Sequence, residues 1–307
     1  MQPITKKTKL TIICGATAVG KSSVAIELAK KFNAEIISSD SIQVYKKFNV
    51  GTAKLSKSEM QGIQHYLIDI LEPTENYSVN QFVIDSKNAI SNIFAKGKNV
   101  IVCGGTGFYI SSLIQGYNLA NTEPNIELRE KYEKLAAKHG TEHLHSLLKK
   151  VDLKSAERIA ANDTKRIIRA LEIFELTGKS KSDSVEQVTN SEFDTLQIVV
   201  EDDREVLYNR INNRVDDMIK NGLQEEVRSL VKYKDCLSMQ AIGYKEFLDY
   251  FDRNETLQAA IDKIKQRSRN YAKRQITFFK HNVCNNKHFV NNKDLDKIFK
   301  LTHSFLS

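Results

Sequence analysis

A glycine-rich segment near the amino terminus contains the residue types of a polyphosphate site. The segment is Gly15-Ala16-Thr17-Ala18-Val19-Gly20-Lys21-Ser22, which has the form G-x-x-x-x-G-K-S. An apolar run, residues 10–14, precedes it and a helical pattern follows, so the segment is predicted to join a strand to a helix. In that context the N–H groups of the loop and the amino terminus of the helix bind phosphate oxygens. The lysine reaches an outer phosphate and the serine hydroxyl is a ligand for Mg²⁺.

Asp40 follows a second apolar run, residues 34–39, which is predicted to be a buried strand. In open parallel sheets ligands bind beyond the carboxyl ends of the strands, so we expect Asp40 at the same crevice as the phosphate loop. A carboxylate in that place can accept a proton from an attacking hydroxyl or amine. The alternative is a helix cap or an indirect contact to Mg²⁺, and periodicity does not separate these interpretations.

The acid that kinases and triphosphatases place after a later buried strand is missing from its expected position. The clearest later strand, residues 100–103, ends in Gly104-Gly105-Thr106 without an Asp or Glu. Asp69 follows a weaker apolar piece and is the one substitute we consider. Thr106 is either a hydroxyl that faces the crevice or an ordinary turn residue. The pattern indicates phosphate chemistry other than common phosphoryl transfer.

A basic and aromatic stretch, residues 263–280, is the strongest candidate for a polyanion-binding surface. It carries seven cations and no acid, with Tyr271, Phe278 and Phe279 among them, and the 307-residue chain has a net charge of +8. A solvated helix face is the usual reason for a run of charge. The mixture of cations with aromatic rings instead favours RNA, whose backbone and splayed bases need both. Lys165, Arg166 and Arg169 form a second basic cluster.

Strand and helix patterns alternate up to about residue 121 and resume at about residue 191. This alternation predicts an α/β fold with a parallel sheet covered by helices on both faces. The charged, helical pattern of residues 122–190 predicts a helical insertion domain within a core of residues 1–121 and 191–307. No apolar run reaches the length of a membrane span, and the amino terminus lacks the apolar segment of a signal peptide. We therefore expect no membrane partner and a cytoplasmic location.

The order of these motifs resembles that of the bacterial tRNA dimethylallyltransferases, also called tRNA isopentenyltransferases. After the phosphate loop come DSIQVY at 40–45, GTAK at 51–54, HYLID at 65–69 and GGTGFY at 104–109. NDTKRIIRALE at 162–172, AIGYK at 241–245 and KRQIT at 273–277 complete the set. The resemblance extends over residues 9–280, and the combination is far more specific than any single motif.

The resemblance implies transfer of a dimethylallyl group from dimethylallyl diphosphate to N6 of the adenosine 3′ of the tRNA anticodon, position 37. The phosphate loop would hold the diphosphate together with Mg²⁺, with Ser22 as metal ligand and with Thr17 and Lys21 on the diphosphate. Asp40 would be the general base on N6, and Arg214 would stabilise the leaving diphosphate. The missing acid is then explained, because no phosphoryl group is transferred.

The same resemblance implies a monomer that contacts the tRNA anticodon stem-loop through several segments. These contacts are Asp40, Ser41, Ile42, Gln43, Thr106, Arg129, Lys165, Arg166, Ile167, Ile168, Arg169, Gln240, Ala241, Ile242, Gly243, Tyr244, Lys245, Lys273, Arg274, Gln275, Ile276, Thr277, Phe278, Phe279 and Lys280. Departures from the family pattern are modest. Ala16 and Val19 replace a usual Pro and a usual Ser or Cys, Ser22 keeps the hydroxyl of the commoner Thr, and Lys245 loses the bidentate geometry of a frequent Arg.

Three other functions are compatible with the residues themselves. An adenylate prenyltransferase would share the core and use a free nucleotide as acceptor. A small-molecule kinase would use Lys21 and Asp40 with ATP and a hydroxyl acceptor. An RNA-binding module with an inactive phosphate loop would bind RNA without releasing diphosphate. The helical insertion and the acid-free basic stretch favour tRNA over a free nucleotide.

Overall fold

The computed structural model describes residues 7–115, 125–184, 192–252, 255–282 and 286–307. The chain divides into two compact units. The first unit comprises Met1–Ile114 and Glu192–Ser307, and the second comprises Gln115–Ser191. Each unit is described below by itself.

The first unit is built on a six-stranded parallel sheet with the order β3-β2-β4-β1-β5-β6. Its strands are β1 (Thr8–Gly15), β2 (Ala34–Ser38), β3 (His65–Tyr66), β4 (Asn99–Gly104), β5 (Phe193–Glu201) and β6 (Lys287–Asn291). Strand β1 pairs with β4 on one side and with β5 on the other, and Cys14 lies beside both Gly104 and Val199. The predicted α/β fold with a parallel sheet is confirmed. The sheet brings the carboxyl ends of β1, β2 and β4 to one edge.

Helices connect the strands and follow them to the end of the chain. They are α1 (Lys21–Lys31), α2 (Val79–Ala95), α3 (Gly107–Gln115), α4 (Ile126–His139), α5 (Thr141–Val151), α6 (Leu153–Arg158), α7 (Thr164–Thr177), α8 (Lys181–Ser184), α9 (Arg204–Lys220), α10 (Leu223–Leu230), α11 (Lys245–Phe251), α12 (Leu257–His281) and α13 (Leu295–Leu306). Sequence patterns at helical spacing predict helices near 79–96, 125–139, 141–150, 162–177 and 204–220, and these correspond to α2, α4, α5, α7 and α9. Strand β6 and helix α13 were not predicted. In the part of the chain that the structure describes, no helix is long and apolar enough to span a membrane.

Side chains of β1 alternate between two apolar cores, one on each face of the sheet. Leu10 and Ile12 pack with residues of α2, α10, α11 and α12. Ile13 packs on the other face with residues of α1 and with Ile298 of α13. A strand that is buried on both faces reads as a continuous apolar run, which is why β1 could be located from the sequence.

The second unit has a core of its own, formed by Leu144, Leu148, Ile167 and their neighbours. Glu172 is fully buried and accepts hydrogen bonds from Arg129 Nε at 2.9 Å and from Arg169 Nη1 at 2.6 Å. Burial by itself raises the pKa of Glu172, but these bonds and the N–H of Asn125 outweigh it and lower the pKa. The two arginines are therefore held by a carboxylate inside the unit.

This core determines how accessible the predicted tRNA contacts of the second unit are. Ile167 and Ile168 of α7 are buried, so their side chains cannot reach RNA in this conformation. Arg129 and Arg169, predicted on the same grounds, are engaged by Glu172. Lys165 and Arg166 are exposed and retain side chains that a phosphate backbone can approach.

A buried carboxylate also ties β2 to the sheet edge in the first unit. Glu35 Oε2 accepts hydrogen bonds from Tyr66 Oη at 2.7 Å and Lys96 Nζ at 3.0 Å, and Oε1 accepts one from Lys98 Nζ at 2.8 Å. Burial raises the pKa of Glu35, but these hydrogen bonds outweigh it and lower the pKa from 4.5 to about 2.

The Glu35 cluster predicts a loss of stability in acid. Because the folded state has the lower pKa, the stabilisation is complete above pH 4.5 and is lost as the pH falls towards 2. Glu35→Gln should lower the free energy of unfolding by about 2 kcal/mol at pH 7 and should flatten its decline in acid. Urea unfolding at pH 7 and pH 3, followed by circular dichroism, measures both effects. Glu205→Gln, at an exposed position, is the control, and equal losses in the two variants would contradict this role of Glu35.

Candidate active site

The phosphate loop joins β1 to α1, and its backbone takes positive φ angles, which favour glycine. Gly15 and Gly20 have φ of 142° and 94°, and Ala18 also takes a positive φ of 62°. A Cβ at Gly15 would collide with the carbonyl oxygen of Val200 on β5, so glycine is required there for space as well as for conformation. The side chains of Ala16 and Val19 are buried, so these two residues can offer a ligand only their backbone.

Two cations face this loop. Lys21 Nζ donates to the carbonyl of Ala16 at 2.6 Å, and Arg214 of α9 donates to Thr17 Oγ1 at 3.4 Å and to the carbonyl of Thr52 at 3.3 Å. The pKa of Lys21 is lowered to about 8, mainly by burial and in part by the charge of Arg214, whereas Cys103 and Asp40 oppose this change. Burial also lowers the pKa of Arg214. A bound anion would stabilise the charged forms of Lys21 and Arg214, so the site beside this loop is suited to a diphosphate.

Asp40 lies just beyond the carboxyl end of β2, where its own loop fixes it. Its Oδ1 accepts hydrogen bonds from the N–H groups of Ile42 at 2.9 Å and Gln43 at 3.2 Å. Among the described residues no hydrogen bond reaches its Oδ2. The carboxylate therefore caps a turn, not a helix, with Oδ1, and Oδ2 can accept a hydrogen bond or a proton.

Two cavities meet at this carboxylate. The smaller one, of about 120 Å³, is the phosphate cradle, and its lining includes Thr17, Lys21, Ser22, Ser38, Asp40, Gly104, Gly105, Arg214 and Gln275. The larger one, of about 460 Å³, is lined mainly by apolar side chains, among them Ile42, Tyr77, Tyr109, Ile211, Val215, Met218 and Ile264. Five residues line both cavities: Thr17, Asp40, Thr52, Arg214 and Tyr271. We call these five residues the shared wall.

The Gly51-Thr52-Ala53-Lys54 segment reaches the shared wall because Glu226 of α10 holds it. The carboxylate of Glu226 accepts from the N–H groups of Asn49, Val50 and Gly51 at 3.0, 2.8 and 3.0 Å. The carbonyl of Thr52 in turn accepts from Gln43 Nε2 at 3.1 Å and from Arg214. The sequence analysis did not identify Glu226. An acidic residue in a helical pattern gives no indication of a partner that lies so far away along the chain.

Two more predicted RNA contacts, Gly243 and Tyr244, lie close to Gly51 of this segment. Tyr244 is fully buried, lies against Gly51 and donates its hydroxyl to Glu226 at 2.7 Å. Gly243 takes a positive φ of 96°, a conformation that favours glycine, and it also lines the larger cavity. Ser41, Ile42, Gln240, Ala241 and Ile242 line the larger cavity, and Lys245 is exposed.

Helix α12 has an inward face and an outward face, which divide the predicted RNA contacts. Gln275 and Phe279 are buried, so their side chains do not reach RNA in this conformation. Phe278 is partly buried and lies against Gly107. The outward, exposed residues are Lys273, Arg274, Ile276, Thr277 and Lys280. Arg274 also lines the larger cavity together with Tyr271, whose pKa burial raises to about 12.

The remaining sequence candidates are Thr106 and Asp69. Thr106 precedes α3, is partly buried, and donates its N–H to the carbonyl of Ser39 at 3.3 Å. Asp69 is absent from the linings of both cavities, and its carboxylate accepts a hydrogen bond from Lys54 Nζ at 2.5 Å. The idea that Asp69 substitutes for the missing acid therefore has no support in the geometry.

Known proteins are similar to this chain in both sequence and fold. A tRNA dimethylallyltransferase of Clostridioides difficile is 50% identical over 279 residues, which are 90% of this chain and 89% of the relative. The full-length tRNA isopentenylpyrophosphate transferase of Bacillus halodurans has a TM-score of 0.73 at 39% identity and covers 98% of this chain and 97% of its own. A eukaryotic dimethylallyltransferase described as acting on tRNA has a TM-score of 0.77 at 31% identity, covering 97% of this chain and 77% of its own.

The family model described as IPP transferase matches residues 43–282. The match covers most of the chain, and the two bacterial relatives are similar along 89% and 97% of their own length. The resemblance inferred from the motifs is confirmed: this chain belongs to the IPP transferase family.

Proposed function

We propose that this protein transfers the dimethylallyl group of dimethylallyl diphosphate to N6 of adenosine 37 in tRNA, releasing diphosphate. The observation that carries the proposal is the shared wall. It brings a carboxylate and a guanidinium to the boundary between a cationic phosphate cradle and a larger, apolar cavity. A substrate with a diphosphate head and a hydrocarbon tail needs both environments side by side.

The cradle binds the diphosphate through backbone N–H groups of the phosphate loop, Lys21 and Arg214. The N6 lone pair attacks C1 of the dimethylallyl group, and the bond between C1 and the diphosphate oxygen breaks. Arg214 is placed by Thr17 and Thr52 to stabilise the charge that develops on the leaving group. The proton leaves N6 for the Oδ2 of Asp40, while Oδ1 stays on the turn.

The cradle also has an oxygen donor of the kind that Mg²⁺ prefers. The hydroxyl of Ser22 lines the smaller cavity and would hold the ion. Magnesium commonly takes one or two protein oxygens and completes its shell with water and substrate phosphates. When bound, the ion would neutralise part of the charge of the diphosphate.

We propose that the tRNA anticodon stem-loop contacts the exposed cations of two basic surfaces. On α12 these are Lys273, Arg274 and Lys280, and on α7 they are Lys165 and Arg166. The adenine must leave its stack to reach the shared wall, at a cost of a few kcal/mol that the backbone contacts offset. We further propose that the protein acts on tRNA as a monomer in the cytoplasm.

Incubation with carbon-labelled dimethylallyl diphosphate and tRNA tests the function directly. We expect label in the tRNA and release of one diphosphate for each group transferred. A parallel incubation with γ-labelled ATP and RNA or small-molecule acceptors should leave every acceptor unlabelled. Label in a phosphorylated metabolite, with none from the prenyl donor in tRNA, would overturn the proposal.

Replacement of Asp40 separates its two roles. Asp40→Asn keeps an oxygen for the turn but cannot take the proton, so the single-turnover rate should fall by roughly a hundredfold or more. The melting temperature and the tRNA affinity should stay close to those of the wild type. Asp69→Asn is the matched control and should keep turnover within a few fold. A normal rate in Asp40→Asn would show that another group takes the proton.

Replacement of Arg274 tests the RNA-facing side of α12. Arg274→Ala should weaken tRNA binding and lower the slope of log affinity against log salt by about one. Filter binding at several salt concentrations gives both quantities. Lys300→Ala removes an exposed charge of α13, which lines neither cavity, and should leave the slope unchanged. The same slope for wild type and Arg274→Ala would contradict a phosphate contact at this residue.

A further inference from the structure

Gln275 is a polar residue on the inward face of α12. Its neighbours on that face, one turn away in each direction, are Ala272 and Phe279, which are both buried. The side chain of Gln275 is itself only 5% exposed. A buried amide is costly unless its polar atoms are bonded, so its partners indicate what it does.

Both ends of the Gln275 amide are bonded to the loops of the phosphate cradle. Its Oε1 accepts a hydrogen bond from the N–H of Thr17 in the phosphate loop at 2.8 Å. Its Nε2 donates to the carbonyl of Gly105, in the loop after β4, at 2.9 Å. One side chain thus joins the loop that follows β1 to the loop that follows β4.

Gly105 leaves the space that this bridge needs. A Cβ at Gly105 would collide with Nε2 of Gln275 and would come within 3.4 Å of the carbonyl oxygen of Gly15. Gly105 does not have a positive φ, so an alanine would be acceptable to its backbone and would conflict only with its neighbours. The requirement for glycine at this position is therefore spatial, and Gln275 imposes most of it.

We propose that Gln275 is a positioning residue of the diphosphate site rather than a contact for RNA. This inference rests on the proposed function, since it assigns a diphosphate to the cradle. The bridge fixes the backbone of Thr17, whose hydroxyl accepts from Arg214, against the loop of Gly104 and Gly105. Helix α12 thereby supports the cradle with its inward face and offers cations to RNA with its outward face.

Titration with inorganic pyrophosphate and Mg²⁺, without tRNA, measures binding at the cradle separately from RNA binding. Gln275→Ala leaves the N–H of Thr17 and the carbonyl of Gly105 without this partner, so the affinity for pyrophosphate should fall roughly tenfold. In steady-state assays the KM for dimethylallyl diphosphate should rise more than kcat falls. The Kd for tRNA should stay within about twofold, because the removed side chain is buried.

Lys273→Ala, on the outward face of the same helix, is the matched variant with the opposite expectation. It should weaken tRNA binding and leave pyrophosphate affinity unchanged. If Gln275→Ala instead weakens tRNA binding and leaves pyrophosphate affinity unchanged, Gln275 is an RNA contact and the proposal is wrong.

A double-mutant cycle tests the bridge itself. Gly105→Ala in the wild-type background should lower pyrophosphate affinity, because its Cβ displaces the Gln275 amide. In the Gln275→Ala background the same change should cost little, because the space is already empty. Additive losses in the double variant would contradict a direct bridge.

If Gln275→Ala does not fold, Gln275→Glu, whose side chain has a similar volume, tests the same proposal. Gln275→Glu can still accept from the N–H of Thr17, but its second oxygen would face the carbonyl of Gly105 and add negative charge beside the anion. We expect a larger loss of pyrophosphate affinity than in Gln275→Ala, and an unchanged affinity would overturn the proposal. Prenyl transfer to tRNA by the wild-type protein tests the proposed function separately from all of these variants.

Discussion

The site depends on the partial burial of two cations, Lys21 and Arg214, beside the phosphate loop. Neither cation has a full counter-charge at the cradle, since Asp40 is the single carboxylate among the residues that line it. Burial lowers the pKa of both groups, which means that each charged form is costly until an anion arrives. In the proposed function a diphosphate would offset this cost, and it would be a better leaving group where its developing charge is already matched.

The fold brings the groups of the site together by placing three loops at one edge of the parallel sheet. The phosphate loop follows β1, Asp40 follows β2, and the loop of Gly104 and Gly105 follows β4. Helices then complete the site from the other side, with Arg214 on α9 and Gln275 on α12. Glu226 holds the Gly51–Thr52 turn in place so that a backbone carbonyl orients the guanidinium. The reacting groups are thus fixed by hydrogen bonds before substrate binds, which favours catalysis by positioning.

The sequence predicted the central strands, the phosphate loop and Asp40, because these depend on local patterns and on a general rule for parallel sheets. It did not predict β6, a short edge strand whose five residues include Lys287 and His288. It did not indicate that Gln275 is buried, since the face that a helix buries is decided by packing and not by the charge of its neighbours. Glu226 lies 175 residues from Gly51, and Arg129 lies 43 residues from Glu172. Such pairings form only when the chain folds. Within a basic motif, the sequence alone therefore does not distinguish a residue that pairs inside the protein from one that contacts RNA.

The central claim is that the cradle holds a diphosphate whose carbon, not its phosphorus, is transferred. Dimethylallyl diphosphate labelled with ¹⁸O at the oxygen between carbon and phosphorus tests this claim most directly. Transfer through C1 predicts that all of the label leaves with the diphosphate while the tRNA gains an unlabelled prenyl group. Label retained on dimethylallyl alcohol, with the phosphoryl group passed to an acceptor, would contradict the account.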